Sequence, residues 1–412
     1  MRLLLALAAL PAVVVAQSAP APSRSLRTAL DSIRARNAWT LEQQSSICQI
    51  PAPPFKEQTR AAELVRRFEA LGLRGARIDA EGNVIAERKG TAANGPAVVL
   101  SAHLDTVFPE GTDVTVKSDG ARMSGPGIGD DCRGLAVLLS VARAVQEAKV
   151  ATPGTIYFVG TVGEEGQGNL RGVRHLFGTE MKGKIDYFIS VDGTGLGITS
   201  RAVGSHRYRV SYRGPGGHSY GAFGMPNPIH ALGRAIAAIA DLEVPEHPRT
   251  TFSVGVIRGG TSVNSIPTEG QMDIDMRSES AEALAALDAQ VQRVLRDAME
   301  RENARWPRSA KKVSLAIDTI GIRPAGAQPD SARIVRVARD AARTLGFDAG
   351  ATSASSTDAN IAIALGVPAI TIDGGGEGGG AHSPDEWYAD GDRGWLGPQW
   401  AAVIAVRLAG GK

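Results

Sequence analysis

The sequence predicts an α/β fold, a mostly parallel sheet with helices on both faces, into which a smaller α+β module is inserted. Three observations predict it. Apolar runs of buried-strand type at Ala97–Ala102, Thr155–Val162 and Tyr187–Val191 are interleaved with helical spacing over Leu135–Ala148, the texture of parallel strands covered on both sides. The texture then changes: Tyr208–Tyr212, Phe252–Ile257 and Met272–Met276 alternate polar with apolar residues, Ile229–Leu242 reads as an amphipathic helix, and Ala281–Trp306 as a long charged one. After Pro324 the first texture returns, with a helix over Ser331–Leu345 and a buried strand at Ala369–Ile372. The expected organisation is therefore one larger domain in two pieces, 17–203 and 323–412, around an insert over 204–322.

Met1-Arg2 precedes an unbroken apolar run, Leu3–Ala16, which is too short for a lasting bilayer anchor and reads as a signal peptide cleaved before Gln17. The expected product is exported, periplasmic or secreted, without a stable membrane anchor. Beyond it, Leu26, Leu30 and Ile33, then Ala61, Leu64, Val65, Phe68 and Leu71, recur at helical spacing around Pro51–Pro54, predicting two opening helices. With 45 basic against 43 acidic residues and a formal charge of +2, no basic stretch tracks a phosphate backbone, so nucleic acid is not an expected partner. Cys48 and Cys132 are the only cysteines. The fold is not expected to rest on disulfides, although one bridge between them is open.

Chemistry concentrates where the predicted strands end, and in an open α/β sheet the carboxyl ends of strands are where loops make a site. The run from Val98 closes on His103-Leu104-Asp105, a spacing that lets an imidazole face a metal while the carboxylate orients it from behind. Gly127-Ile128-Gly129-Asp130-Asp131 places two carboxylates in a glycine-rich loop before a helix, where one could bridge two cations or one could cap the helix. Phe158–Val162 stops at Glu164-Glu165, an adjacent acidic pair that is costly at a buried rim unless cations offset it. Asp192 follows another strand, and His382 follows the glycine-rich turn Gly374–Gly380. Imidazole and carboxylate donors suit Zn²⁺ best, with Co²⁺ or Mn²⁺ as possible substitutes.

The order His-x-Asp, Gly-x-x-Asp-Asp, Glu-Glu, Asp, late His resembles the co-catalytic zinc peptidases of the carboxypeptidase G, peptidase T and aminoacylase group. The likeness covers nearly the whole chain after residue 16 and includes the insert, which in that family is a lid and dimerisation domain. It implies two Zn²⁺ per subunit, with Asp130 bridging, His103 and Asp192 on one ion, and Glu165 and His382 on the other. It further implies that Asp105 orients His103 and that Glu164 is the general base. His218, in Gly216-Gly217-His218-Ser219, matches a histidine that reaches the partner subunit's site and polarises the scissile carbonyl. Asn264 and Arg277 match residues that grip the substrate's carboxylate or carbonyl. Read by themselves, Arg277 could be a surface ion pair, Asn264 a turn residue and His218 a turn histidine. The other histidines, His175, His206, His230 and His247, read as structural or surface residues. Where many relatives have Lys-Gly after the paired Asp, this chain has Cys132-Arg133-Gly134, a thiol that is an inert core residue, a contact behind the metal ligands or an oxidisable group.

The expected activity is hydrolysis of peptide bonds in small peptides by an exopeptidase of carboxypeptidase, dipeptidase or tripeptidase type, acting as a homodimer. Deacylation of N-acyl amino acids is the alternative. A silent peptide-binding or assembly protein is a third reading, disfavoured because Glu164 and the full ligand set are both present.

Overall fold

The structure is a computed structural model and describes residues 21–412; the predicted signal peptide lies outside them. The central sheet runs in the order Arg77–Ile78, Val84–Arg88, Thr155–Thr161, Ala97–His103, Tyr187–Val191, Ala369–Ile372, Ile198–Ala202, Gly326–Ala327, with Ser353–Ser355 also paired to Ile198–Ala202. Its four middle strands, 155–161, 97–103, 187–191 and 369–372, are parallel, and antiparallel strands flank them. Because both faces are covered, the strands are mostly apolar: Val98, Val99 and Leu100 are all fully buried, Val98 and Leu100 in the larger core cluster and Val99 in the one across the sheet.

Three helices, not the expected two, open the described chain: Arg24–Ala35, Asn37–Cys48 and Gln58–Ala70. The middle one buries Thr40, Gln44, Ile47 and Cys48, so polar residues hold much of its inner face and the apolar spacing that marks its neighbours is missing. Cys48 and Cys132 are joined in a disulfide. This is the one bridge the sequence left open, and it overturns the readings of Cys132 as a free thiol: the bond ties the second helix to the start of the Cys132–Glu147 helix.

The insert forms a separate antiparallel sheet ordered Thr250–Gly259, Glu269–Ser278, Gly204–Arg213, Ser314–Arg323, backed by the helices Pro228–Ala240 and Ala281–Arg305 over a core that includes Tyr212, Met272, Leu232 and Leu295. The Ser314–Arg323 strand escaped the sequence pattern because its register shifts between Thr319 and Gly321, so its apolar residues change parity midway. A two-stranded ribbon, Gly217–His218 against Ser265–Ile266, lies beside this sheet. Among the described residues no helix is long and apolar enough to cross a membrane.

Candidate metal centre

The four parallel strands point their C-terminal ends at one place. There stand Glu164 and Glu165 after 155–161, His103 ending 97–103, Asp192 after 187–191 and Asp373 after 369–372. His103 Nε2 lies 2.9 Å from Asp130 Oδ1, while His382 Nε2 lies 3.2 Å from Asp130 Oδ2 and 2.8 Å from Glu165 Oε1. The potential donor atoms of His103, Asp130 and Asp192 all fall within 4.8 Å of one another, and so do those of Asp130, Glu165 and His382. Two three-residue sets thus share one carboxylate.

The surrounding chain fixes these groups. Asp105 does so differently from the expectation: its carbonyl oxygen, 3.0 Å away, pairs with His103 Nδ1, while its carboxylate stands 3.8 Å off and accepts from the amides of Glu164 (3.1 Å) and Glu165 (2.8 Å). The adjacent acids divide their work, since Asp131 caps the following helix by accepting from Gly134 N at 3.0 Å and also accepts from His103 N at 3.0 Å. Glu386 accepts from the amides of Gly127, Gly129 and Asp130 at 3.0, 2.7 and 2.8 Å, tying down the loop that carries Asp130. The buried Arg60 guanidinium donates to the carbonyls of Cys48, Ile50 and Leu104, the last beside His103.

Electrostatics match a cation site. Burial, with repulsion from Asp130, pushes the Asp192 carboxyl up to about 7, and burial pushes Glu164 well above the ordinary range against the pull of Arg323. Bonds to Asp130 and Glu165 raise His382 to about 10. Burial disfavours charge on Asp130, but its bonds to His103 and His382 overcome this and hold the carboxyl low. Crowded acids that are raised, beside histidines that hold protons in their midst, are the state that divalent cations relieve by replacing those protons. Nitrogen and carboxylate-oxygen donors in two sets fit a pair of such ions.

A cavity of about 400 Å³ opens over the cluster, lined among others by Asp130, Glu164, Arg207, Arg277, Arg323 and Asp373. Arg277 therefore belongs to the site, with its Nε donating to Asp275 Oδ2 at 2.7 Å; Arg207 Nε donates to the other oxygen at 2.9 Å. His218 and Asn264 are not among the residues lining the cavity. Both are exposed, His218 on the ribbon and Asn264 in the turn that enters its second strand; His218 Nδ1 accepts from the amides of Tyr220 and Gly221 and Asn264 Oδ1 accepts from Ser262 Oγ. His206 approaches Asp288 at 3.3 Å and His230 approaches Glu302 at 3.9 Å. His175 meets Asp79 and Glu180 within 4.8 Å, but Asp79 accepts from the amides of Glu81, Gly82 and Asn83 and Glu180 pairs with Arg77, so a turn and an ion pair already account for that group.

Sequence reasoning missed Arg60, Arg323, Asp373 and Glu386. Asp373 carried a readable signal, since it follows a predicted strand as Asp192 does. Glu386 is four residues after His382 but acts on a loop 256 residues earlier, which no local pattern announces.

An open α/β sheet whose strand ends and neighbouring loops collect two histidines and three carboxylates into sets sharing one member defines a class, the hydrolases built around a pair of divalent cations. The chain belongs to the peptidase family M20/M25/M40, whose model matches residues 99–393; its members are metal-dependent hydrolases, both metallopeptidases and amidohydrolases. It is 27% identical over 230 residues to an N-acetylcysteine deacetylase of Bacillus subtilis, a match covering 51% of this chain and 57% of that protein. The chain thus spans little more than half the length of that relative. Among solved structures, a tripeptidase of Staphylococcus aureus superposes with a TM-score of 0.72 at 22% identity, covering 90% of this chain and 98% of the other. A dinuclear metal-binding peptidase of Bacillus subtilis does so with a TM-score of 0.66 at 18% identity, covering 92% and 100%.

Proposed function

We propose that the protein is a two-zinc exopeptidase that hydrolyses small peptides with a free C-terminus. One observation carries this reading: the two donor sets sharing Asp130 open onto the same cavity as the buried Glu164 and the Arg277 guanidinium. His103 and Asp192 would hold one ion, Glu165 and His382 the other, and Asp130 both. When bound, such a pair lowers the pKa of water toward neutrality and polarises a carbonyl. Glu164 takes the proton from the attacking water and returns it to the leaving amine. Arg277, with Asp275 holding its Nε, presents its fork to the substrate carboxylate.

His218 and Asn264 complete the site from a second copy of the chain. Exposed Tyr220, Phe223 and Val263 beside them, and Ile257 on the open edge strand 250–259, support a homodimer through the segment 204–322. The leader pattern of residues 1–16 and the Cys48–Cys132 bridge support export to an oxidising compartment. Deacylation of N-acyl amino acids is the second reading, favoured by the likeness to a deacetylase.

The deciding experiment incubates the zinc-loaded protein with di- and tripeptides, free or blocked at either end, and with N-acetyl amino acids, read by mass spectrometry. Cleavage of peptides with a free C-terminus, lost on chelation and on C-terminal amidation, is the expected result. Turnover of N-acetyl amino acids alone selects the second reading, and turnover that survives complete metal removal overturns both.

A further inference from the structure

Arg323 ends the Ser314–Arg323 strand, where the insert rejoins the central domain, and it is paired with Ser205 at the point where the insert departs. The two crossings therefore lie side by side. They are close enough that a Cβ on Gly204 would meet Ala325 N at 2.6 Å. From this junction the guanidinium runs inward and is 4% exposed. Its Nη1 donates to Glu164 Oε1 at 2.9 Å and to Ser356 Oγ at 3.1 Å, and its Nη2 donates to the Glu164 carbonyl oxygen. The side chain and the backbone of one residue are thus gripped by one planar fork, which a lysine cannot imitate.

We propose that Arg323 is the positioning residue for Glu164 and couples the base to the hinge of the insert. The inference rests on the hydrolase reading above and deepens it. Both Nη groups are engaged on Glu164 and Ser356, so the guanidinium works on the base and not on the substrate carboxylate, the task left to the more exposed Arg277. Of the two Glu164 carboxylate oxygens, Oε1 is the one bonded by Arg323, and Glu164 lines the cavity. A carboxylate held by one oxygen presents a fixed lone pair to water, and rotation of the insert about the 203–204 and 323–324 connections shifts that lone pair. Closure over a substrate would then align the base as it covers the site.

The test compares the full-length, metal-loaded enzyme with Arg323→Ala, Arg323→Lys and the double variant Glu164→Gln/Arg323→Ala. A positioning role predicts that Arg323→Ala lowers kcat about a hundredfold or more, with KM within about threefold and metal content unchanged. Arg323→Lys should fall between Arg323→Ala and the parent. Millimolar guanidinium should restore kcat of Arg323→Ala by about tenfold, but do nothing for the double variant, because the group being positioned is gone. Parent-like kcat in Arg323→Ala, a loss confined to KM, or equal rescue of the double variant each overturns the proposal, and the second outcome makes Arg323 a substrate ligand. Should Arg323→Ala fail to fold, Arg323→Lys is judged by the same kcat and KM criteria. If the parent enzyme turns over no substrate, the hydrolase reading is what has failed. Arg323 is then judged by hydrogen exchange at the Glu164 and Glu165 amides, which should quicken by about tenfold in Arg323→Ala; unchanged exchange overturns the proposal.

Discussion

The central sheet and the insert each carry groups assigned to the proposed site, but they hold them in different ways. On the sheet, His103, Glu164 and Glu165 are nearly inaccessible and each is fixed by a neighbour: His103 by Asp105, Glu164 by Arg323, and the Glu164–Glu165 backbone by the Asp105 carboxylate. On the insert, His218 and Asn264 are exposed, His218 on the two-stranded ribbon and Asn264 in the turn just before its second strand. The first set is organised by one chain's own backbone. The second has local turn contacts only, which suits the proposal that its working partner is a second copy of the chain. Preorganisation is thus concentrated where charge has to be desolvated, on the sheet, and the exposed ribbon region is left without it.

The largest effect that sharpens this contrast is expected from Glu164→Gln, which should cut turnover by roughly 10²–10⁴-fold while metal content by elemental analysis stays at the parent value. Parent-like turnover in that variant removes Glu164 as the base. Next, His218→Ala should lose about a hundredfold in kcat. Mixing it with Glu164→Gln subunits should recover part of the rate through hybrid dimers, and a mixture as inactive as its components breaks the cross-subunit half of the comparison. Glu386→Ala frees the three amides that hold the Asp130 loop and should weaken metal affinity about 10–100-fold in competition with a fluorescent chelator; unchanged affinity would mean the loop holds its shape unaided. Replacing both Cys48 and Cys132 by alanine should cost roughly 2–4 kcal/mol in denaturant melts.

The smallest effect concerns pH. Burial lifts the Asp373 carboxyl to about 6, against the bond from Gly197 N. Between the unfolded value and about 6 the native state binds the extra proton, so stability from this group is present at acid pH and is lost as pH rises through about 6. Asp373→Asn should flatten that part of the stability–pH curve, and an unaltered slope would assign it to another group.

Much of this was legible in the sequence, for a physical reason. A strand buried on both faces writes an apolar run, and an abrupt carboxylate or histidine at its end is conspicuous, which is how His103, Glu165 and Asp192 could be read. Long-range partners write nothing of the kind. Glu386 acts on amides, which any sequence supplies, and Arg323 ends a strand whose register shift hides its alternation. The second helix was overlooked because it buries Thr40 and Gln44, whose partners are Ser140 Oγ and the Ile128 carbonyl, rather than an apolar stripe.

The side-by-side strand ends have a metric consequence. Neighbouring strands stand about 4.8 Å apart because backbone hydrogen bonds set that spacing, and Glu165, His103 and Asp192 arise at the ends of three successive strands. The spacing of these three is therefore ruled by the peptide ladder, while Asp130 and His382 are brought in by loops. A family built on such a ruler can vary its loops and substrates widely without recalibrating its metal centre, whereas adding a single methylene, as in Asp192→Glu, puts an oxygen out of gauge.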